Sequence, residues 1–277
     1  MFGPILRWII NTWIGTTGKV RSYKTFPWLY GPISEKPEIG ADFYNVFASR
    51  ENLSVVTSPD AGLIEDFTAL IADDDPNKAR LHPRVRHFYE HTKQYKLEVW
   101  SQWYRPMSLF ARILIGSLSR DMDQLNIPLK PMETSRGMSN DVLQLRDGDG
   151  MLRYACWLRK SMLSGKVVYA GFYSGIEAEG RKYVRVIFPL PDGNITVVLS
   201  VHVQDDGSVK LLSGGRSEDI AGYYRVRKRD KDSVKLKKIP LRESIHVYED
   251  GEGVLRTDHK FWFLGVRMLH LHYRING

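Results

Sequence analysis

The sequence predicts an α+β protein: a large antiparallel β-sheet, barrel-like, with helices mainly in the N-terminal half. Three observations carry this. From Asp141 onward, apolar residues recur with a period of two in nine or ten short segments, the pattern of a barrel or sandwich. Turn-forming clusters (GIEAEG, PLPDGN, DDGS) punctuate those segments at hairpin spacing. Upstream, several stretches space their apolar residues as helices do, and no strand–helix–strand alternation is visible.

Phe2–Ile14 is strongly apolar but lacks the basic start and small-residue cleavage site of a signal peptide. As a helix it would reach only about 20 Å, short of the roughly 30 Å bilayer core, so it should not span. Ile5, Trp8, Ile9 and Trp13 share one helical face. They pack on the protein's own domain, contact a membrane interface, or belong to an uncleaved or atypical targeting sequence. Residues 15–60 read as an extended arm, with Phe26, Trp28, Leu29 and Tyr30 as apolar anchors. Residues 61–277 read as helical segments packed on the barrel-like domain.

Within that domain Ala61–Ala72 has helical spacing through Leu63, Ile64, Phe67, Leu70 and Ile71, ended by Asp73–Asp75 and Pro76. A second helix is expected just after Pro83, running to about Tyr95, and Met107–Leu118 is expected to form another. Leu97–Tyr104 between them alternates as a strand. Val142–Arg146 and Met151–Arg159 form a hairpin, because Asp147–Gly150 supplies the glycines that a tight turn needs. Strands follow at Val167–Tyr173, Lys182–Phe188, Ile195–Gln204, Val209–Leu212, Tyr223–Lys228, Val234–Lys237 and Glu243–Glu249, and from Val254 to Ile275.

The motifs LHPRVRHFYEHT (Leu81–Thr92), VWSQW (Val99–Trp103), QLNIPL (Gln124–Leu129) and IPLRESIHVYED (Ile239–Asp250) resemble an uncharacterised bacterial family. The resemblance is to the soluble C-terminal region of YndJ-like membrane proteins and covers roughly Leu63 to Ile275. It implies a bacterial origin and proximity to a membrane, and it brings no established activity. The multi-span region of those proteins has no counterpart in the 277 residues.

The net charge of +8 favours anionic partners without choosing among them. With Cys156 alone, no intramolecular disulfide and no cysteine-based zinc site can form. Its place in an apolar run suits a buried, inert thiol. A reducing, cytoplasmic setting, peripheral at the inner membrane, is the expected localisation. There is no G-x-S-x-G elbow, P-loop or dinucleotide fingerprint, and SGGRS (Ser213–Ser217) reads as a loop between strands.

His87, Glu90 and His91 match H-x-x-E-H, but no downstream third ligand follows and Arg84 and Arg86 oppose a cation, so a packing helix is the plainer reading. His270 and His272 share one side of a strand, with His259 and His246 as further candidates for a metal. The wetter face of that strand is the simpler account, so no metal and no cofactor are assigned. The basic hairpin YYRVRKRDKDSVKLKK could track phosphates, yet such charges commonly guard sheet edges, so nucleic acid is not the expected partner. The oligomeric state is left open.

The most suggestive constellation is an aromatic–arginine face. Alternation groups Arg153, Trp157 and Arg159 on one strand, Tyr169 and Tyr173 on the next, and Arg185 on the third. Converging on a cavity, these six would suit a carboxylate- or phosphate-bearing amphiphile, because guanidinium forks bind such groups at two points. The leading expectation is therefore binding of a hydrophobic or amphipathic anionic small molecule, lipid-like, with an anionic membrane surface as the further partner. The alternative is a cofactor-free isomerase, cyclase or hydrolase in the same cavity, with acid–base duty on Glu90, His91, Asp141 or His202.

Overall fold

The computed structural model describes residues 12–13, 15–36, 39–105, 107–108, 138–214 and 220–277. In chain order the strands are β1 (Lys19–Ser22), β2 (Ser54–Val56), β3 (Lys96–Trp103), β4 (Asp141–Arg146), β5 (Leu152–Lys160), β6 (Val167–Ala178) and β7 (Arg181–Leu190). They continue with β8 (Gly193–Val203), β9 (Val209–Leu212), β10 (Gly222–Lys228), β11 (Ser233–Ile239), β12 (Leu241–Glu249), β13 (Leu255–Phe263) and β14 (Val266–Asn276). Every pairing between them is antiparallel.

One strand joins two sheets. The first part of β8, Gly193–Val198, pairs with β10, while Ser200–Val203 pair with β9. An eleven-residue strand of about 36 Å is long enough to serve both. The first sheet runs β2-β4-β5-β6-β7-β8-β10-β11-β1, and the second leaves β8 through β9-β12-β13-β14-β3.

The sheet does not close, which corrects the barrel-like expectation. β4 spends its outer edge on β2, through Gln144–Arg146, and among the described residues β3 is bonded to β14 alone. Between these ends runs a side-chain stitch instead of a ladder. Asn140 Nδ2 donates to the carbonyls of Thr92 (2.8 Å) and Tyr95 (2.6 Å), just before β3 begins. Trp157 Nε1 donates to Asn140 Oδ1 at 2.5 Å. Period two tells which face a residue takes, but not whether two terminal strands meet.

The facing sides of the two sheets share one core. Val142, Ala155, Trp157, Val184, Val186, Val197 and Leu199 come from the first sheet, and Val209, Leu211, Val247, Leu255 and Ile275 from the second. The other side of the first sheet is covered by the N-terminal arm. Phe43 and Phe47, on a short helix (Phe43–Arg50), pack over Leu143, Tyr154, Cys156 and Phe172. Trp28 and Leu29 pack over Tyr183, Val198 and Val226. Being buried on both faces, β5 carries six consecutive buried residues where a half-buried strand would alternate.

Helices are few among the described residues. The helix expected at Ala61–Ala72 is extended chain with a single 3-10 turn, Thr68–Leu70. Leu63 N and Ile64 N both donate to Tyr89 O, so this stretch closes the end of the Pro83–Glu90 helix. A Cβ at Gly62 would collide with the Glu90 carbonyl, which fixes the close approach. That helix begins on Pro83, one residue before the expected start, and ends at Glu90, short of Tyr95, where Leu63 N and Ile64 N both take the Tyr89 carbonyl.

Of the expected Met107–Leu118 helix, only Met107 and Ser108 are described, and QLNIPL also lies outside the described residues. So do Ile5, Trp8 and Ile9; Trp13 is 41% exposed, with the Lys237 ammonium 5.2 Å from its ring centre. Among the described residues, no helix is long and apolar enough to cross a membrane.

Asn140→Ala strands an indole N–H and two carbonyls at the seam. At about 1 kcal/mol per net hydrogen bond, we expect a loss of about 2–3 kcal/mol. It would be read as a lower denaturant midpoint at unchanged slope.

Candidate functional site

The site is built on the hairpin neighbours β5 and β6. Their register sets Arg159 opposite Tyr169, Trp157 opposite Gly171 and Ala155 opposite Tyr173. The small residues make room for the large ones: a Cβ at Gly171 would press to 3.2 Å from both the Phe188 and Tyr173 rings. The Trp157 indole meets Tyr169 edge-on at 5.7 Å and Tyr173 at 5.8 Å. Above it lies the Arg159 guanidinium, 5.5 Å from the Trp157 ring centre.

Arg159 is the unusual group. Its side chain is fully buried, and Nε donates to Ser139 O at 3.3 Å. Neither terminal nitrogen, Nη1 or Nη2, has a hydrogen-bond partner among the described residues. The four terminal donor hydrogens therefore meet no acceptor in good geometry among the described residues, although the Tyr169 hydroxyl lies near enough to feel the guanidinium as a hydrogen-bond donor, whereas buried charge is otherwise fully paired.

The second sheet and β10 supply the facing groups. Burial pushes the Tyr169 hydroxyl above its usual range, and nearby Arg159 works against that shift. Burial likewise raises Tyr273 on β14, which feels both Tyr169 and Arg159, and also Glu243 on β12. Tyr223 is raised by burial first and then by Glu243, and Tyr173 by burial, then by Tyr169, then by Glu243. Glu243 is itself buried and its Oε2 lies 2.6 Å from His259 Nε2. A belt of tyrosines therefore runs between a buried cation on one sheet and a buried carboxylate–imidazole pair on the other. The sequence singled out neither Glu243, Tyr223 nor Tyr273 for this site, since only the facing of two sheets reveals them.

Of the six residues grouped as ligand contacts, the structure brings Trp157, Arg159, Tyr169 and Tyr173 together and sends two elsewhere. Arg153 is left out by a bulge: Leu145 pairs with Tyr154, but Arg146 pairs with Leu152. It turns to solvent, 62% exposed, 3.9 Å from Asp147. Arg185 sits on the opposite face, because the register places it across from Ser174 and places Val186 across from Tyr173. There it donates to Ser174 Oγ and to the carbonyls of Trp28 (2.7 Å) and Tyr30 (2.9 Å), pinning the N-terminal arm. Replacing it with methionine strands those acceptors, and we expect a loss of about 3 kcal/mol in a denaturant titration.

The other motifs are placed by packing. Both Glu90 oxygens take Arg86 Nε, and Oε1 also accepts Phe67 N, so this carboxylate closes a helix end. His87 bonds the Tyr95 hydroxyl at 2.8 Å and lies against His91, ring centres 4.3 Å apart and planes tilted by 32°; burial and His91 hold its pKa below the usual value. His202 is exposed and bonds Ser200, and Asp141 opens β4, so the acid–base candidates named from sequence do not meet around Trp157. In the basic hairpin Arg225 is buried against the carbonyls of Asn194 and Pro191, and β1 covers β11. Cys156 is fully buried, which pushes its thiol pKa up and keeps it protonated. Ser213 Oγ accepts Glu243 N, while residues 215–219 of that loop lie outside the described residues.

No family model and no solved structure matches the chain. It spans less than half the length of the curated relative that it matches. The chain is similar to the "Uncharacterized membrane protein YndJ" of Bacillus subtilis (strain 168), 26% identical over 262 residues that make up 92% of this chain and 43% of that protein.

Proposed function

We propose that this chain binds an amphipathic anion between its two sheets, with the Arg159 guanidinium receiving a carboxylate or phosphate head. The observation that carries this is the pair of unanswered terminal nitrogens on a fully buried arginine. A planar fork with free donors in a dry setting is matched by a two-oxygen anion, and such charge-assisted bonds are about twice as strong as neutral ones.

Partial exposure within the interior supports a concave lining over a filled core. Tyr169, Tyr173 and Tyr273 are desolvated enough to raise their hydroxyl pKa values, yet each keeps accessible surface. Phe188, Ile195, Ile239, Leu241 and Ile245, packed against the same core, are also only partly buried. These apolar groups would take the tail while tyrosine hydroxyls flank the head. Similarity to a membrane protein and a net charge of +8 favour loading at an anionic membrane surface, with residues 1–14 as the contact.

A second reading, catalysis in the same interior, rests on the Glu243–His259 pair. Replacing His259 with asparagine leaves ligand retention unchanged if binding is the whole function.

The test joins affinity to stability. Fluorescent long-chain fatty acid and lysophosphatidate probes, with a neutral fatty alcohol as control, are titrated into wild type and Arg159→Met. The variant should lose about ten- to a hundredfold in affinity for the preferred anion, the equivalent of roughly 1.5–3 kcal/mol. Ligand-free, it should be no less stable than wild type, because an apolar residue replaces an unpaired buried charge. Equal affinity in wild type and variant, or no binding of either anion, would overturn the proposal.

A further inference from the structure

On the far side of the second sheet, away from Arg159, we propose a divalent transition-metal site formed by Asp258, His270 and His272. The register builds it: Asp258 on β13 stands directly opposite His272 on β14, and His270 follows two residues earlier on the same face. Leu269, Leu271 and Tyr273 alternate with these histidines and pack in the sheet's cores, so the imidazoles are held outward by packing of their neighbours.

Asp258 Oδ1 lies 3.0 Å from His270 Nε2 and 2.9 Å from His272 Nδ1. The three ligand atoms all fall within 4.8 Å of one another, and among the described residues no other such group of three occurs. Donors around a tetrahedral Zn²⁺ at about 2.0–2.1 Å are about 3.4 Å apart, so the two Asp258–histidine distances need about half an ångström of spreading, and the two imidazole nitrogens, within 4.8 Å of each other, are in reach of the same ion. The surroundings favour order over drift. Each of the three side chains keeps a third or less of its surface exposed, and the Trp100 ring lies 6.1 Å from His272.

Two neighbours bear on the charge. Lys260 Nζ is 3.9 Å from the other Asp258 oxygen, Oδ2, which leaves Oδ1 to the ion. His246, opposite Asp258 on β12, has its Nε2 engaged 2.8 Å from Ser208 Oγ. Three protein donors leave the remaining coordination positions to water or to an exchangeable ligand, the arrangement of an open rather than a structural site. Imidazole and carboxylate donors suit a borderline cation such as Zn²⁺, and do not suit Ca²⁺ or Mg²⁺, which take oxygen alone.

The experiment uses the untagged full chain, stripped with chelator and titrated with Zn²⁺ by calorimetry. Co²⁺ is the spectroscopic stand-in. One equivalent of Zn²⁺ should bind, raise the melting temperature, and, as Co²⁺, give visible absorption bands. His270→Ala and His272→Ala should each abolish these signals, while His87→Ala, in the rival H-x-x-E-H motif, should leave them intact. Because both strand histidines are partly exposed, the variants should keep wild-type melting in the absence of metal. No uptake of Zn²⁺, uptake that survives both strand substitutions, or loss only in His87→Ala would overturn the assignment.

Discussion

Everything about the interior depends on the forked pairing of β8. Its Gly193–Val198 segment is hydrogen-bonded to β10 and its Ser200–Val203 segment to β9, so one strand belongs to two sheets at once. Backbone ladders are satisfied along both branches, and the chain can change sheet without orphaning polar groups. The consequence is chemical as well as architectural. Arg159 and Tyr169 on the first sheet come to share an interior with Tyr273 and Glu243 on the second, although they are separated by up to 114 residues of sequence.

Two buried arginines on opposite faces of the first sheet show how differently one residue type can be used. Arg185 is surrounded by acceptors and spends its donors on the backbone of the N-terminal arm. Its charge is solvated by carbonyl dipoles, and it serves the fold. Arg159 has one carbonyl contact, an indole beneath it and two unanswered nitrogens. An apolar residue would be cheaper there, since a buried unpaired ion costs several kcal/mol. That cost is the reason for proposing that Arg159 serves a ligand and not the fold.

The seam opposite the fork is closed by side chains. Asn140 holds the entry to β3 and the Trp157 indole together, so the tryptophan at the centre of the aromatic cluster is also a fastening between the sheet ends. Packing and placement of the site are coupled at this point. The outward histidines of β14 are independent of it, because alternation sends them to the opposite side of the second sheet.

Sequence alone determined the strands and most of their facing. Period-two patterning located the strands from Asp141 onward mostly within two residues, though it stopped five residues short of the end of β6, and it put Trp157, Arg159, Tyr169 and Tyr173 on one face, because side-chain direction along a regular strand is a local property. It also placed His270 and His272 on a wet face. What depended on partners was decided only by the tertiary structure. A bulge at Leu145/Arg146 removed Arg153, a register removed Arg185, and an edge already spent on β2 left the barrel open. The apolar periodicity of Ala61–Ala72 marked burial, yet its backbone was taken by the end of a neighbouring helix. Alternation is written in each strand; pairing is a choice between strands, made by long-range contacts that no local pattern encodes.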